Sequence, residues 1–216
     1  MAVKRKQRVL LVVANLTTHG REELKWLYQW LDANALNVAT VMLGALYRRV
    51  YTLTGEEVTA ANLVEQLETL AADPKTKAID VLINLHGWTG KLWFVEGPVI
   101  VKDLADLIAG KHLERKLRLL YSTACYGATH APDLVRAGFR VASGAVGVNA
   151  NGAHDYPTQL LYWAMGATYK SALAAGNNKL ITAVYDELAR KFDFEDVNSV
   201  KIAVGKKKTT ITSSAT

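Results

Sequence analysis

Cys125 and His86 are the residues whose types and placement could do chemistry together. Each closes an apolar run. Ala78-Ile79-Asp80-Val81-Leu82-Ile83-Asn84-Leu85 leads into His86-Gly87, and Leu117-Arg118-Leu119-Leu120-Tyr121-Ser122-Thr123 leads into Ala124-Cys125-Tyr126-Gly127. A thiol attacks as its thiolate, and an adjacent imidazole can take its proton. Taken singly, a lone cysteine is more often a small buried hydrophobe, and a strand-end histidine more often satisfies a loop carbonyl. Their joint placement favours the chemical reading. Glycine at 87 would let a backbone amide come close to a substrate carbonyl, and a helix starting after Cys125 would lower the thiol pKa.

The elements that must position this pair are legible as alternating strands and helices. The two runs show little alternation, as parallel strands buried on both faces do. In an open α/β sheet functional groups collect past the carboxyl ends of the strands, so His86 and Cys125 can share one crevice. Residues 8–15 are predicted as the first strand, 20–36 as a helix and 37–43 as a second strand. A surface hairpin is expected over 48–58, and Thr59 is expected to cap a helix that stops before Pro74. After His86 come a short ribbon over 91–98, turning near Glu96-Gly97, and a helix over 101–109. A helix over 132–136 and a strand over 141–148 follow Cys125. Helices over 157–174 and 178–192, divided at Gly176-Asn177, and a sixth strand over 200–204 complete an α/β, doubly wound, mostly parallel sheet of about six strands. The whole chain reads as one domain, with 1–7, 213–216 and the Thr/Ser-rich 209–216 expected to fray.

Composition narrows the function classes. The chain has 216 residues, 50% of them apolar and only 4 proline, which indicates a continuous core. The net charge of +6 lies largely in Lys4-Arg5-Lys6 and Lys206-Lys207-Lys208. Short terminal basic runs without interleaved aromatics read as solvated chain ends, so a nucleic-acid partner is not expected. One cysteine excludes an internal disulfide and a cysteine-based metal cluster, and it fits a reducing cytoplasm. No apolar stretch reaches the roughly 18 residues of a membrane span, so no membrane partner is expected. Residues 1–15 imitate a signal peptide, but Thr17-Thr18-His19-Gly20 is a poor cleavage region and a buried strand is the better reading.

Leu85-His86-Gly87 with Thr123-Ala124-Cys125-Tyr126-Gly127 resembles the caspase-like cysteine peptidases, the clan holding caspases, metacaspases, legumains, gingipains and bacterial CHAT domains. Ala137-Gly138-Phe139-Arg140-Val141-Ala142-Ser143-Gly144 is similar to the CHAT strand after the cysteine helix. The likeness covers about residues 78–175, and earlier residues by architecture only. It implies a caspase-like fold and a cysteine endopeptidase without cofactor or metal. Cys125 would be the nucleophile, His86 the proton carrier, and the amides of Gly87 and Cys125 the oxyanion hole. No third catalytic residue is implied. In relatives the residue two before the cysteine lines the primary pocket. Here it is Thr123, neutral and small, which departs from the glutamine or acidic residue found there. Ser143, Gly144 and Asp155 are the other candidate substrate-binding residues, although Asp155 also suits a helix cap near Pro157. His19, His112, His130 and His154 read as solvated loop or helix-flanking residues, with His154 in reserve.

Two other readings stay open. One is a catalytically silent caspase-like module that binds a partner. The other is a flavodoxin-like or Rossmann-like domain for a small ligand, although no dinucleotide or Walker spacing and no Gly-x-Ser-x-Gly elbow occurs. As a peptidase the chain is expected to act uncut on a protein substrate. The 126–140 segment leaves no linker for processing, so a regulatory protein, a ligand or homo-oligomerisation would control it. Residues 88–98 and 149–156 are the expected movable parts.

Overall fold

Runs rich in valine, leucine and isoleucine make the centre of the molecule. In the computed structural model, which describes residues 2–216, strands β1 (Arg8–Asn15), β2 (Arg49–Thr54) and β3 (Ala78–Leu85) enter one sheet. Strands β4 (Gly87–Trp88), β5 (Lys91–Phe94) and β6 (Gly97–Ile100) form a separate antiparallel sheet. Strands β7 (Leu117–Ser122), β8 (Val141–Ala145) and β9 (Lys201–Gly205) return to the first sheet, whose order is β2-β1-β3-β7-β8-β9. All its pairings are parallel except β8 with β9. Among the described residues seven α-helices join the strands: α1 (Lys25–Leu43), α2 (Ala60–Ala72), α3 (Val101–Ala109), α4 (Gly127–Arg136), α5 (Gly152–Ala164), α6 (Tyr169–Gly176) and α7 (Lys179–Arg190).

Both sheet faces are covered, which explains the missing alternation. Val9, Leu11 and Val13 of β1 pack in the core layer with α2, α3 and α4, while Leu10 and Val12 pack with α1, α5 and α6. Every residue of β1, β3, β7 and β8 is buried. The expected α/β, mostly parallel sheet of six strands flanked by helices is therefore present.

Several boundaries differ from expectation. Residues 37–43, predicted as a strand, continue α1, because Ala35, Ala39 and Leu43 recur at helical spacing and are buried together. The β-branched Val38, Thr40 and Val41 carry a strand propensity that this packing overrides. The expected hairpin over 48–58 is instead one parallel edge strand, β2, beside β1. The ribbon after His86 has three strands, and the segment 149–156 already holds the first turn of α5. The helical stretch expected over 157–174 is two helices, α5 and α6. Thr59 caps α2 as expected, accepting from the Asn62 amide at 3.0 Å.

The tail, expected to fray, is docked by buried cations. Arg8 Nη1 donates to the Ile211 carbonyl at 2.6 Å, and Arg118 Nη1 donates to the Ser213 carbonyl at 3.0 Å. Ile211 and Ala215 are buried. Near the other end, the Val3 amide donates to the Thr212 carbonyl at 2.8 Å, and Val3 is buried too. Arg118 also makes a bidentate pair with Asp80 on the next strand, with Nε to Oδ1 at 2.8 Å and Nη2 to Oδ2 at 2.6 Å. Two opposite charges within otherwise apolar strands thus satisfy each other and fix the tail.

The sheet order places a topological switch between β1 and β3. From β1 the chain crosses to β2 on one side, and it later crosses to β3 on the other. Connections leaving in opposite directions open a crevice at the carboxyl ends of those strands. Leu16 and His86 stand at those ends, and Cys125 follows β7, the next strand over.

Candidate active site

His86 is oriented by the end of β1. Its Nε2 lies 2.8 Å from the Leu16 carbonyl, which can only accept, so Nε2 carries the hydrogen and Nδ1 keeps its lone pair. The Tyr28 ring meets the imidazole edge-on, with centroids 4.9 Å apart. Burial pushes the His86 pKa below the ordinary histidine value. The Leu16 hydrogen bond opposes that shift, and nearby His19 adds to it. The imidazole is neutral at neutral pH, and a neutral imidazole can accept a proton.

Cys125 sits between β7 and α4, partly exposed. Tyr126 adopts the left-handed conformation, φ +55°, which turns the chain from strand to helix and starts α4 at Gly127. That helix packs directly on β8: a Cβ added to Gly144 would stand 2.4 Å from Gly127 Cα. The sulfur accepts the Asn149 amide at 3.4 Å. Burial raises the Cys125 pKa, while the Asn149 amide and the Lys201 charge pull it back. The expected depression of this thiol's pKa is therefore absent, and desolvation is the reason. At neutral pH the pair rests as thiol and neutral imidazole.

The two loops meet backbone to backbone. A Cβ on Gly87 would stand 2.4 Å from the Cys125 carbonyl oxygen, 2.9 Å from the Ala124 methyl and 3.3 Å from the Cys125 nitrogen. Only glycine permits that approach without displacement.

His86 and Cys125 together line two adjoining concavities. One, of about 410 Å³, is walled by α1, α7 and the ends of β1, β3 and β7. The other, of about 590 Å³, is more polar and is lined by His19, Trp88, Trp93 and Tyr126 with the acidic segment at 193–196. Phe194 of that segment packs with Leu16, Leu24 and Tyr28, and the Arg21 guanidinium lies 4.2 Å above its ring.

The other candidates are distributed unevenly. Thr123 lines the 410 Å³ cavity, but its hydroxyl is turned to the Asn84 side-chain oxygen at 2.7 Å. Ser143 and Gly144 do not form a pocket wall. Ser143 is buried against the Tyr169 hydroxyl, and Gly144 is pressed on Gly127. Asp155 is neither a pocket floor nor a helix cap. It is buried in the first turn of α5, ion-paired with Lys201 and 3.4 Å from the Tyr121 hydroxyl. Burial raises its pKa, and the Lys201 charge opposes the rise. His130 is buried, not solvated, and its Nε2 bonds the Trp88 carbonyl at 2.7 Å. His19, exposed, bonds the Phe94 carbonyl at 2.7 Å, whereas His112 is exposed on a left-handed turn and His154 is half-buried on α5.

Three supporting residues were not read from the sequence. Asp32 accepts the Leu16 amide at 2.8 Å and the Asn84 side-chain amide at 2.9 Å. Asn149 donates to the Thr123 carbonyl at 2.7 Å and accepts from Lys201 Nζ at 3.0 Å. Lys201, on the edge strand, is almost fully buried. In the sequence it is one residue of the sixth strand expected over 200–204, with nothing local to mark its burial. Among the described residues no group of histidine, cysteine and carboxylate side chains could hold a metal, and no helix is long and apolar enough to cross a membrane. The chain matches no protein-family model and no curated protein.

Proposed function

We propose that this chain is a cysteine endopeptidase of the caspase-like type, acting on peptide bonds of protein substrates. The observation that carries the reading is the tethering of His86 Nε2 by Leu16, which leaves an unprotonated Nδ1 in the crevice that Cys125 also lines. The Cys125 thiol gives its proton to Nδ1 as its sulfur bonds to the scissile carbonyl carbon. The carbonyl oxygen, now an anion, is held by the amides of Gly87 and Cys125, whose close approach supports that role. Such donors are worth roughly 3–4 kcal/mol each in the transition state. The imidazolium then protonates the leaving amine as the C–N bond breaks, giving a thioester. Water attacks the thioester, His86 takes its proton, and the thiol is restored with release of the acid. The raised thiol pKa suits transfer of the proton within the encounter rather than a standing ion pair. Control would come from a regulatory protein, a ligand or self-association.

The position of the apolar cavity at the topological switch point favours a second reading, a domain that binds a small apolar ligand. A peptidyl acyloxymethyl ketone separates the two. A covalent adduct on Cys125, lost in both Cys125→Ala and His86→Ala, is expected of the peptidase. An unreactive but accessible thiol would overturn it and leave a silent or ligand-binding module.

A further inference from the structure

From the walls of the 410 Å³ cavity we infer that the enzyme selects a large apolar side chain, aromatic or branched aliphatic, on the residue whose carbonyl Cys125 attacks. The inference rests on the peptidase reading and names its substrate class. The scissile carbonyl bonds to the sulfur, and the side chain of the same residue begins on the adjoining carbon. It is therefore the substrate group best able to enter a cavity that opens at Cys125.

The cavity offers that group no charge. Among the described residues no aspartate, glutamate, lysine or arginine side chain lines it. Leu27, Leu31, Tyr185, Ala189 and Phe194 are part of its largely apolar wall. Its polar inner end is already satisfied. The Thr123 hydroxyl donates to Asn84, Asn84 donates to Asp32, and Asn149 is held between the Thr123 carbonyl and Lys201. None of the buried polar atoms left without a partner belongs to a lining residue. A carboxylate or guanidinium entering here would lose hydration without meeting an opposite charge, whereas an apolar side chain gains by leaving water. A cavity of this size also accepts more than one side chain.

The wall continues outward on α1 and α7. Helix α7 buries Thr182 and Asp186 and turns Leu180 and Val184 to solvent, at 82% and 68% exposure. Trp26 of α1 is 67% exposed. Leu188 and Trp30 connect these surfaces to the cavity. This apolar track running into the reacting atoms is fitted to an extended substrate segment with further apolar residues next to the cleaved one. The carboxylates Asp193, Glu195 and Asp196 line the other concavity, so a basic group has no counter-charge on the apolar side.

The test uses four peptidyl acyloxymethyl ketones that differ only at the residue bearing the ketone: phenylalanine, leucine, aspartate and lysine. The rate of adduct formation on Cys125 is read by intact mass and peptide mapping. Phenylalanine and leucine are expected to react at least about tenfold faster than aspartate and lysine. Trp30→Glu and Leu188→Glu, both at partly exposed positions, are expected to erase most of that preference while iodoacetamide still alkylates Cys125. Equal or reversed rates, or an unchanged preference in both variants, would overturn the inference. So would a second copy seated on the track, seen as self-association that slows the phenylalanine probe as protein concentration rises. Alkylation by iodoacetamide with no reaction of any ketone would instead overturn the peptidase reading, and this inference with it.

Discussion

Asp32 and His86 hold the same residue from its two ends. Asp32 accepts the Leu16 amide at 2.8 Å, and the Leu16 carbonyl accepts the His86 Nε2 hydrogen at 2.8 Å. The position of the imidazole thus depends on a carboxylate that makes no contact with the crevice. Burial pushes the Asp32 pKa from 3.8 up to about 6, against the hydrogen bonds it accepts. The folded protein therefore holds a proton that the unfolded chain releases between those values. Its stabilising effect is full below the unfolded pKa and is lost as pH rises through about 6. The loss amounts to at most about 3 kcal/mol. Urea unfolding of wild type and Asp32→Asn between pH 4 and 7.5 is expected to show it. The wild type will lose stability relative to the variant over that range, and parallel curves would contradict the assignment.

The reactivity of Cys125 gives a second expectation. With the thiol pKa raised and the His86 pKa lowered, no thiolate–imidazolium pair is present at neutral pH. Alkylation of Cys125 by iodoacetamide is expected to keep rising above pH 8.5, without a plateau near neutrality. Peptide cleavage is expected to rise from acid as His86 loses its proton. His86→Ala will abolish the cleavage limb and leave the alkylation limb nearly in place. An acid plateau of alkylation that disappears in His86→Ala would show a preformed ion pair.

Gly87 offers a steric test. A methyl there would overlap the Cys125 carbonyl and the Ala124 methyl, so Gly87→Ala must separate the two loops. Cleavage is expected to fall by about two to three orders of magnitude, the cost of misplacing an oxyanion donor. Its melting temperature should drop by several degrees at most, because the strands beneath are unaffected. Near wild-type cleavage by a folded Gly87→Ala would remove Gly87 from the oxyanion site.

The sequence exposed the parts of this architecture that local pattern determines. The eight residues of β1 and of β3 read as strands because each segment is short and rich in valine, isoleucine and leucine, with few polar residues among them. His86 and Cys125 could be picked out because each stands where such a run ends. Asp32 and Lys201 could not. Asp32 looks like any polar residue on an amphipathic helix, and Lys201 like any cation on an edge strand. Their burial arises from α1 and α5 folding over the sheet ends, a tertiary fact with no local signature. Ser143 and Gly144 failed as pocket residues for the same reason: α4 and α6 cover β8 there. Asp80 and Arg118 were a readable signal, since opposite charges on successive buried strands invite pairing, and the Arg118 of that pair also anchors the tail.

Lys201 joins stability to the site, and two variants can separate the roles. Its ammonium pairs with buried Asp155 and donates to Asn149, whose backbone amide supports the Cys125 sulfur. Lys201→Met leaves Asp155 buried without a counter-charge, which is expected to cost about 3–5 kcal/mol. Adding Asp155→Leu removes the stranded carboxylate, so the double variant is expected to recover most of the lost stability. It will not recover the anchor on Asn149, nor the positive charge that lowers the thiol pKa. Alkylation of Cys125 in the double variant is therefore expected to be slower than wild type at pH 7.5, with its pH midpoint moved upward. Chemical unfolding and a pH series of iodoacetamide rates measure the two effects on the same samples. A double variant with restored stability and an unmoved pH midpoint would show that Lys201 serves the fold alone.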